Sequence, residues 1–382
     1  MTRHEHFMTT QYDDGGFTTP ELTSDDTYPP YIRDEVERCV RRIQQHQKPG
    51  CATFGFITDI HVTLTHNHDI RFKRVFNAYR EIAKRAHISR LLMGGDYTND
   101  GCKTYKMDCV RNLRSLLDGI NYCPTNGNHD TNDIWDSVFI RKPVSQDHLT
   151  PTEQYNLFYN HLPYNGGEFD EENVALYYMI NDTFTKTRYI CLNIYDTPDV
   201  FDENGKLIFN KQTFQNLSQA QLKWLTEKAL KFDEEGWSIV LFAHTAYQPD
   251  MAKNNVSHPD LKEPRCVYEL LEAYKKGEDY SYDSDTEHLE KHIDAKFSQY
   301  IRGDIAVFML GHHHADFVKT SDSGIKYVGT ALGVMFDKPS ITIRRYDGTA
   351  SELLFDVITL DKYERKLYIT RVGAGEDRVI EY

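Results

Sequence analysis

The sequence of 382 residues lacks the features that would direct it to a membrane, a secretory route or a polyanion. No segment approaches the roughly eighteen apolar residues of a membrane span, and the stretch from Met1 to Pro20 lacks the apolar core of a signal peptide. No dense run of Lys and Arg is present, and the formal net charge is −14. Because nucleic-acid grooves are built from basic clusters, this balance disfavours a nucleic-acid partner.

The seven cysteines are odd in number and show no C-x-x-C spacing. They predict neither a disulfide framework nor a cysteine-bound zinc site, and a reducing compartment suits them best. Together with the missing leader and membrane span, they lead us to expect a cytoplasmic protein without a membrane partner. The oligomeric state is left open.

Apolar runs alternate with helical stripes along the first part of the chain. Thr53–Thr58 and Leu91–Met93 are short apolar runs that favour strands. A stripe at helical spacing lies between them, and a second precedes Tyr122 and Cys123. The pattern predicts an α/β fold in which strand, helix, strand, helix and strand follow each other, with the strands parallel. After Ile325 the chain favours strands at Ile341–Arg345, Leu353–Leu360 and Leu367–Val372.

The predicted domain organisation is one large domain with additions. Residues 1–50 are expected to form an N-terminal arm and a helix, residues 51–330 the main domain, and residues 331–382 a β-rich extension packed on that domain. Insertions near 131–175 and 246–300 lack regular strand patterns. Because both emerge from strand ends that carry polar clusters, we expect lid-like loops that select the substrate.

Five polar clusters each follow an apolar run directly. They are Asp59-Ile60-His61, Gly94-Gly95-Asp96, Gly127-Asn128-His129-Asp130, His244 and Gly311-His312-His313-His314. The carboxyl ends of parallel strands meet at one edge of a sheet, so we expect these clusters to converge. Carboxylate, imidazole and amide oxygen groups are ligands of divalent metals, and a dinuclear phosphate-cleaving centre uses such a set. The sequence therefore predicts a metal site.

Taken singly, most clusters have ordinary explanations. An isolated D-x-H fits a strand-end turn, Gly-Gly-Asp fits a plain loop, and a lone His244 fits a core residue. On an extended segment Asp59 and His61 would share a side, as would His312 and His314. The same alternation makes His313 a spacer rather than a ligand.

The ordered series resembles the calcineurin-like metallophosphoesterase superfamily. It runs D-x-H, G-G-D-x-x-N-D, G-N-H-D, a lone strand-end His and G-H-x-H, and it covers roughly residues 53–316. The segment from Leu217 to Leu225 also resembles the helix-opening L-S-x-x-Q-x-x-W-L of many members. The resemblance implies a four-layer αββα sandwich of two mixed sheets flanked by helices.

The resemblance also implies roles for individual residues. The first of two divalent metal ions (Mn, Fe or Zn) would be held by Asp59, His61, Asp96 and His314, and the second by Asp96, Asn128, His244 and His312. A hydroxide held between the metals would attack phosphorus. His129 would assist the leaving oxygen or neutralise charge in the transition state.

Asn99 and Asp130 bear on the branch of the superfamily. Ser/Thr protein phosphatases have Asp at the position of Asn99, and purple acid phosphatases have Tyr there, so Asn99 argues against both and favours a bacterial-type branch. Asn99 would orient His129 as a neutral acceptor. Asp130 would support a ligand or His129, or alternatively cap the next segment.

The expected function is a metal-dependent phosphohydrolase. Its substrate would be a small phosphodiester or phosphomonoester, or a nucleotide. The alternatives are a non-catalytic metal-binding scaffold on the same fold, or a nuclease, which the acidic balance disfavours.

Overall fold

The computed structural model of the protein describes residues 23–64, 66–99, 103–130, 149–170, 175–205, 207–211, 213–253, 262–334 and 343–382. Most of the predicted N-terminal arm, and residues 131–148, 171–174 and 254–261 of the two predicted insertions, lie outside these ranges. Within the described ranges, no helix combines the length and apolar character needed to cross a membrane.

The helices include a long amphipathic one near the N-terminal side. It begins with Pro30, whose fixed φ suits the first helical position, and it buries Ile32, Val36, Val40 and Ile43, which recur at helical spacing. Two π-helical turns extend later helices at 155–159 and 225–229. The described helices are α1 (Ser24–Thr27), α2 (Pro30–His46), α3 (His66–Arg85), α4 (Lys103–Leu116), α5 (Pro151–Gln154), α6 (Gln219–Trp224), α7 (Pro249–Lys253) and α8 (Lys262–Lys276).

The strands form two large sheets and one hairpin. The described strands are β1 (Ala52–Ile57), β2 (Leu91–Met93), β3 (Tyr122–Pro124), β4 (Gly167–Phe169), β5 (Tyr178–Asp182), β6 (Thr187–Cys191), β7 (Ser238–Ala243), β8 (Tyr280–Ser284), β9 (Lys291–Ala295), β10 (Asp304–Leu310), β11 (Phe317–Thr320), β12 (Lys326–Gly329), β13 (Leu354–Asp361), β14 (Lys366–Gly373) and β15 (Arg378–Glu381). The first sheet has the order β15-β14-β13-β1-β2-β3, and the second has the order β11-β12-β10-β7-β6-β5-β4. The hairpin is β8-β9.

Both large sheets are mixed. In the first, β1, β2 and β3 are parallel and are connected through α3 and α4, whereas β13 runs antiparallel to β1. In the second, β6, β7, β10 and β12 are parallel, with antiparallel strands at both edges. The predicted strand-helix alternation is confirmed, and so is the α/β architecture of two mixed sheets flanked by helices.

The alternation of side chains along the strands explains the layers. On β7, Val240 and Phe242 join the core that also holds Phe54 of β1, whereas Ile239 and Leu241 join a second core with residues of α6 and α8. Successive side chains of a strand point to opposite faces, so β7 lies between the two cores. The result is consistent with a four-layer αββα sandwich.

Two predictions from the sequence differ from the structure. The strand expected at Ile341–Arg345 lies partly outside the described residues, and its described part is not a strand; Arg345 instead donates to the carbonyl oxygens of Leu332 and Ser351. Residues 246–300, expected as long loops, include α7, α8 and the β8-β9 hairpin. Ile293 and Ala295 of that hairpin pack in the core of α6 and α8, so this part covers the outer face of the second sheet.

Candidate metal centre

The five polar clusters meet at one edge of the two sheets. Asp59, Asp96 and Asn128 follow β1, β2 and β3, and His244 and His312 follow β7 and β10. These strands are parallel within each sheet, so their carboxyl ends share an edge. Backbone hydrogen bonds link the loops, because the Asp59 amide donates to Gly95 and the Gly311 amide donates to His244.

The backbone at the site is left-handed at five of the seven predicted ligands. Asp59, His61, Asp96, His312 and His314 have φ between 47° and 67°. Such a conformation costs non-glycine residues of the order of 1–3 kcal/mol, and it persists where the surroundings impose it. The expectation that Asp59 and His61 lie on an extended segment is therefore wrong. Tight turns, rather than strand alternation, bring their side chains together.

The first cluster consists of Asp59, His61, Asp96 and His314. Each offers a ligand atom, and these atoms all lie within 4.8 Å of one another. His314 Nε2 lies 3.1 Å from Asp59 Oδ1 and 3.4 Å from His61 Nε2. His61 Nε2 lies 3.7 Å from Asp96 Oδ2. This is the set that the resemblance assigned to the first metal.

The second cluster shares Asp96 with the first. The ligand atoms of Asp96, His244 and His312 also lie within 4.8 Å of one another. His244 Nε2 lies 3.2 Å from Asp96 Oδ2. Asn128 Oδ1 lies 3.0 Å from both His244 Nε2 and His312 Nδ1. The structure thus contains two His/Asp clusters compatible with a dimetal site.

Burial and mutual charge shift the titration of these groups. Burial is the largest influence on the pKa of His244 and lowers it, but the charge and hydrogen bond of Asp96, together with the charge of Asp59, outweigh burial and raise that pKa to about 9. Burial raises the pKa of Asp59, yet His314 and His244 bring it below its usual range. Burial, and then the charge of His244, lower the pKa of His312 to about 4. The positive charge of His244 and His314 therefore favours the ionised form of the Asp59 carboxylate.

The donor atoms fit metal cations. His244 Nδ1 lies 2.7 Å from the carbonyl oxygen of Gly94, which can only accept, so Nδ1 carries the proton and Nε2 faces the acceptors of the second cluster. Among the described residues, no Lys or Arg forms an ion pair with Asp59 or Asp96. The lone pairs of Asp96 Oδ2 and Asn128 Oδ1 point toward His244 Nε2, so either a proton on Nε2 or a bound cation must compensate for their repulsion. Imidazole, carboxylate and amide oxygen together are ligands of divalent metal cations.

The three predicted catalytic residues occupy different places. The His129 ring is half-buried beside the first cluster, 5.0 Å from the His61 ring between centroids. Asp130 is buried and accepts the amides of Tyr97 and Gly127 at 2.9 and 2.8 Å. Burial, and then the charge of Asp96, raise the pKa of Asp130 to about 6. Asn99 is half-buried, and its role in orienting His129 stays a prediction.

Close approach explains the glycines of the site. A Cβ at Gly127 would fall within 3.0 Å of the Asp96 amide nitrogen, and a Cβ at Gly311 would fall equally close to Thr58 and Asp59. Thr58, which no motif singled out, also belongs to the site, because its hydroxyl donates to Asp59 Oδ2 at 2.6 Å. Its position directly before Asp59 was the available signal.

His313 lies apart from the two clusters. Its Nε2 contacts the side-chain amide of Gln248, and its ring packs edge-on against Phe317 at 5.6 Å. Neither of the two metal-compatible groups includes it.

Comparison with known proteins identifies the class. A model of the calcineurin-like phosphoesterase family matches residues 52–316, so the chain belongs to that family. Among solved structures, it is similar to a dimetal phosphatase from Danio rerio at 14% identity and a TM-score of 0.53, over 88% of this chain and 100% of that one. It also matches NAD nucleotidase from Haemophilus influenzae at 11% identity and a TM-score of 0.35, over 86% of this chain and 49% of that one. At this identity the first likeness shows the fold alone. No curated protein matches the chain.

Proposed function

We propose that the protein is a metal-dependent phosphohydrolase that cleaves a small phosphodiester or phosphomonoester, such as a nucleotide. The observation that carries this proposal is the pair of clusters that share Asp96. Asp59, His61, Asp96 and His314 would hold one divalent cation, and Asp96, Asn128, His244 and His312 would hold the other. When bound, the cations would supply Lewis acidity toward a phosphate ester.

The protein's own groups supply position and a proton. The His129 amide donates to Asp96 Oδ1 at 2.8 Å, so the residue proposed for proton transfer is tied to the shared carboxylate. From there its ring would donate a hydrogen bond or a proton to the leaving oxygen. The His314 side chain is 43% exposed, which leaves the first cluster open to a substrate.

Charge supports a small substrate. The net charge of the protein is −14, so a polyanion would meet net repulsion, whereas a small ester would contact only the region where cations would bind. Activity on mononucleotides without activity on DNA would agree with this proposal. Hydrolysis of duplex DNA at a similar rate would favour a nuclease instead.

The proposal is tested with purified protein loaded with Mn²⁺. We expect hydrolysis of p-nitrophenyl phosphate, bis-p-nitrophenyl phosphate or a nucleotide, and its loss after chelation. His129→Ala should lower kcat by about 10²- to 10⁴-fold, the usual contribution of a general acid. His292→Ala is the matched control, because that ring is 78% exposed and lies on β9. A protein that holds two metal equivalents and hydrolyses none of these substrates would refute the proposal.

A further inference from the structure

Lys106 occupies a place that is unfavourable for a cation. It is fully buried and lies in the first turn of α4. Burying an ammonium is unfavourable unless other groups compensate for its lost hydration, and a helix N-terminus disfavours positive charge. Lys106 is thus unfavourable both as a buried cation and as a cation at the start of a helix. Its presence therefore requires a compensating contact outside the helix.

That contact is with the backbone of His129. Lys106 Nζ donates to the carbonyl oxygen of His129. The hydroxyl of Thr98 donates to the same oxygen at 3.0 Å, and the His129 amide donates to Asp96 Oδ1. The peptide units on both sides of the His129 Cα are therefore fixed. Lys106 provides the charged donor among these contacts, and charge-assisted hydrogen bonds are about twice as strong as neutral ones.

Asp130 holds the same turn from the other side. Its carboxylate accepts the amides of Gly127, Tyr97 and Thr98 at 2.8, 2.9 and 3.1 Å. The positive charge of Lys106 acts on this carboxylate, so two opposite buried charges fix the turn on either side of His129. Each charge offsets part of the desolvation of the other.

We propose that Lys106 is a positioning residue that holds the His129 imidazole at the metal clusters by fixing its backbone. The expected effect of Lys106 on the reaction rate rests on the proposed function, whereas its expected effect on the His129 backbone does not. A displacement of about 1 Å in a catalytic group can cost about 100-fold in rate. Lys106→Met should therefore lower kcat by about 10- to 100-fold, with little change in KM or in metal content.

The structural consequence is measured without substrate. Deuterium exchange of peptides that cover residues 122–130 should be at least tenfold faster in Lys106→Met than in the native protein. Lys103→Met is the matched control on the same helix, because Lys103 pairs with Glu153 at 2.6 Å. Equal exchange in the native protein and Lys106→Met would overturn the proposal. If Lys106→Met does not fold, Lys106→Gln serves in the same comparison.

A double-mutant cycle separates positioning from general stability. In the His129→Ala background, Lys106→Met should lower the remaining activity less than threefold, and Lys106→Arg should recover part of the loss in the native background. An equal loss in both backgrounds would overturn the positioning role. If the native protein hydrolyses no ester, the proposed function fails, and the exchange measurement still decides the role of Lys106.

Discussion

Replacing Arg371 of β14 with methionine should lower the free energy of unfolding of the protein substantially. Arg371 is 1% exposed. Its Nε lies 2.8 Å from Asp356 Oδ1, and its Nη2 lies 2.8 Å from Asp316 Oδ1. Asp356 belongs to β13 beside β1, and Asp316 follows the loop that carries His314. One guanidinium thus joins the sheet that bears Asp59 to the loop that bears His314.

The magnitude follows from what the substitution leaves behind. Removing one partner of a buried ion pair costs about 3–5 kcal/mol, because the other charge stays buried. Asp356 is fully buried but would keep Arg378 at 2.5 Å and the Thr330 hydroxyl at 2.7 Å. The carboxylate of Asp316 is 27% exposed, so water can replace its lost partner. We therefore expect a loss at the lower end of the range, about 3 kcal/mol.

Equilibrium urea unfolding of the metal-free protein measures this loss as a shift of the midpoint at constant slope. Arg111→Met is the control, because Arg111 and Asp108 form an exposed pair on α4 with 59% and 52% of their side chains accessible. Such pairs contribute about 0.5 kcal/mol or less. A loss below 1 kcal/mol for Arg371→Met, or one equal to the control, would show that the buried pairs of Arg371 do not stabilise the fold.

Three further outcomes follow from the contacts of Asp356, from those of Gly127 and from cation binding. Burial raises the pKa of Asp356, but Arg371 and Arg378 hold that pKa below its usual range. The ion pair therefore stabilises the fold above about pH 4, the pKa of the unfolded carboxyl group. As the pH falls below that value, the difference in stability between the native protein and Arg371→Met should shrink. Gly127→Ala places a Cβ within 3.0 Å of the Asp96 backbone and should abolish metal binding in elemental analysis. Gly119→Ala meets no atom within 4 Å and is strained only by its φ of +73°, so it should retain metal binding. Mn²⁺ at 100 times its Kd should raise the free energy of unfolding by about 2.7 kcal/mol per site, and an unchanged urea midpoint would count against cation binding.

The parts of the fold that depend on local pattern could be predicted from the sequence. The apolar run before His244 is β7 itself, Ser238–Ala243. The helix-opening segment from Leu217 to Leu225 does begin a helix, because the Ser218 hydroxyl caps α6 by accepting the Gln221 amide at 3.1 Å. Hydrophobic periodicity and capping act within a few residues, so a single sequence displays them.

The rest depends on contacts that no local pattern contains. Lys106 meets His129 across 23 positions, and Arg371 meets Asp316 across 55. The left-handed backbone at Asp59 and Asp96 arises where loops from both sheets press together, so alternation along a strand gave the wrong geometry for D-x-H. The sequence could name these ligands because of the resemblance, whereas their conformation required the fold.

If the two clusters hold two cations, both cations depend on the shared carboxylate of Asp96. Elemental analysis of the native protein and Asp96→Ala, after equilibration with Mn²⁺ and removal of free metal, counts the cations that each protein holds. We predict two equivalents per chain for the native protein and fewer than one for Asp96→Ala, because both clusters lose a ligand. One equivalent in the native protein, or two in Asp96→Ala, would contradict the shared site.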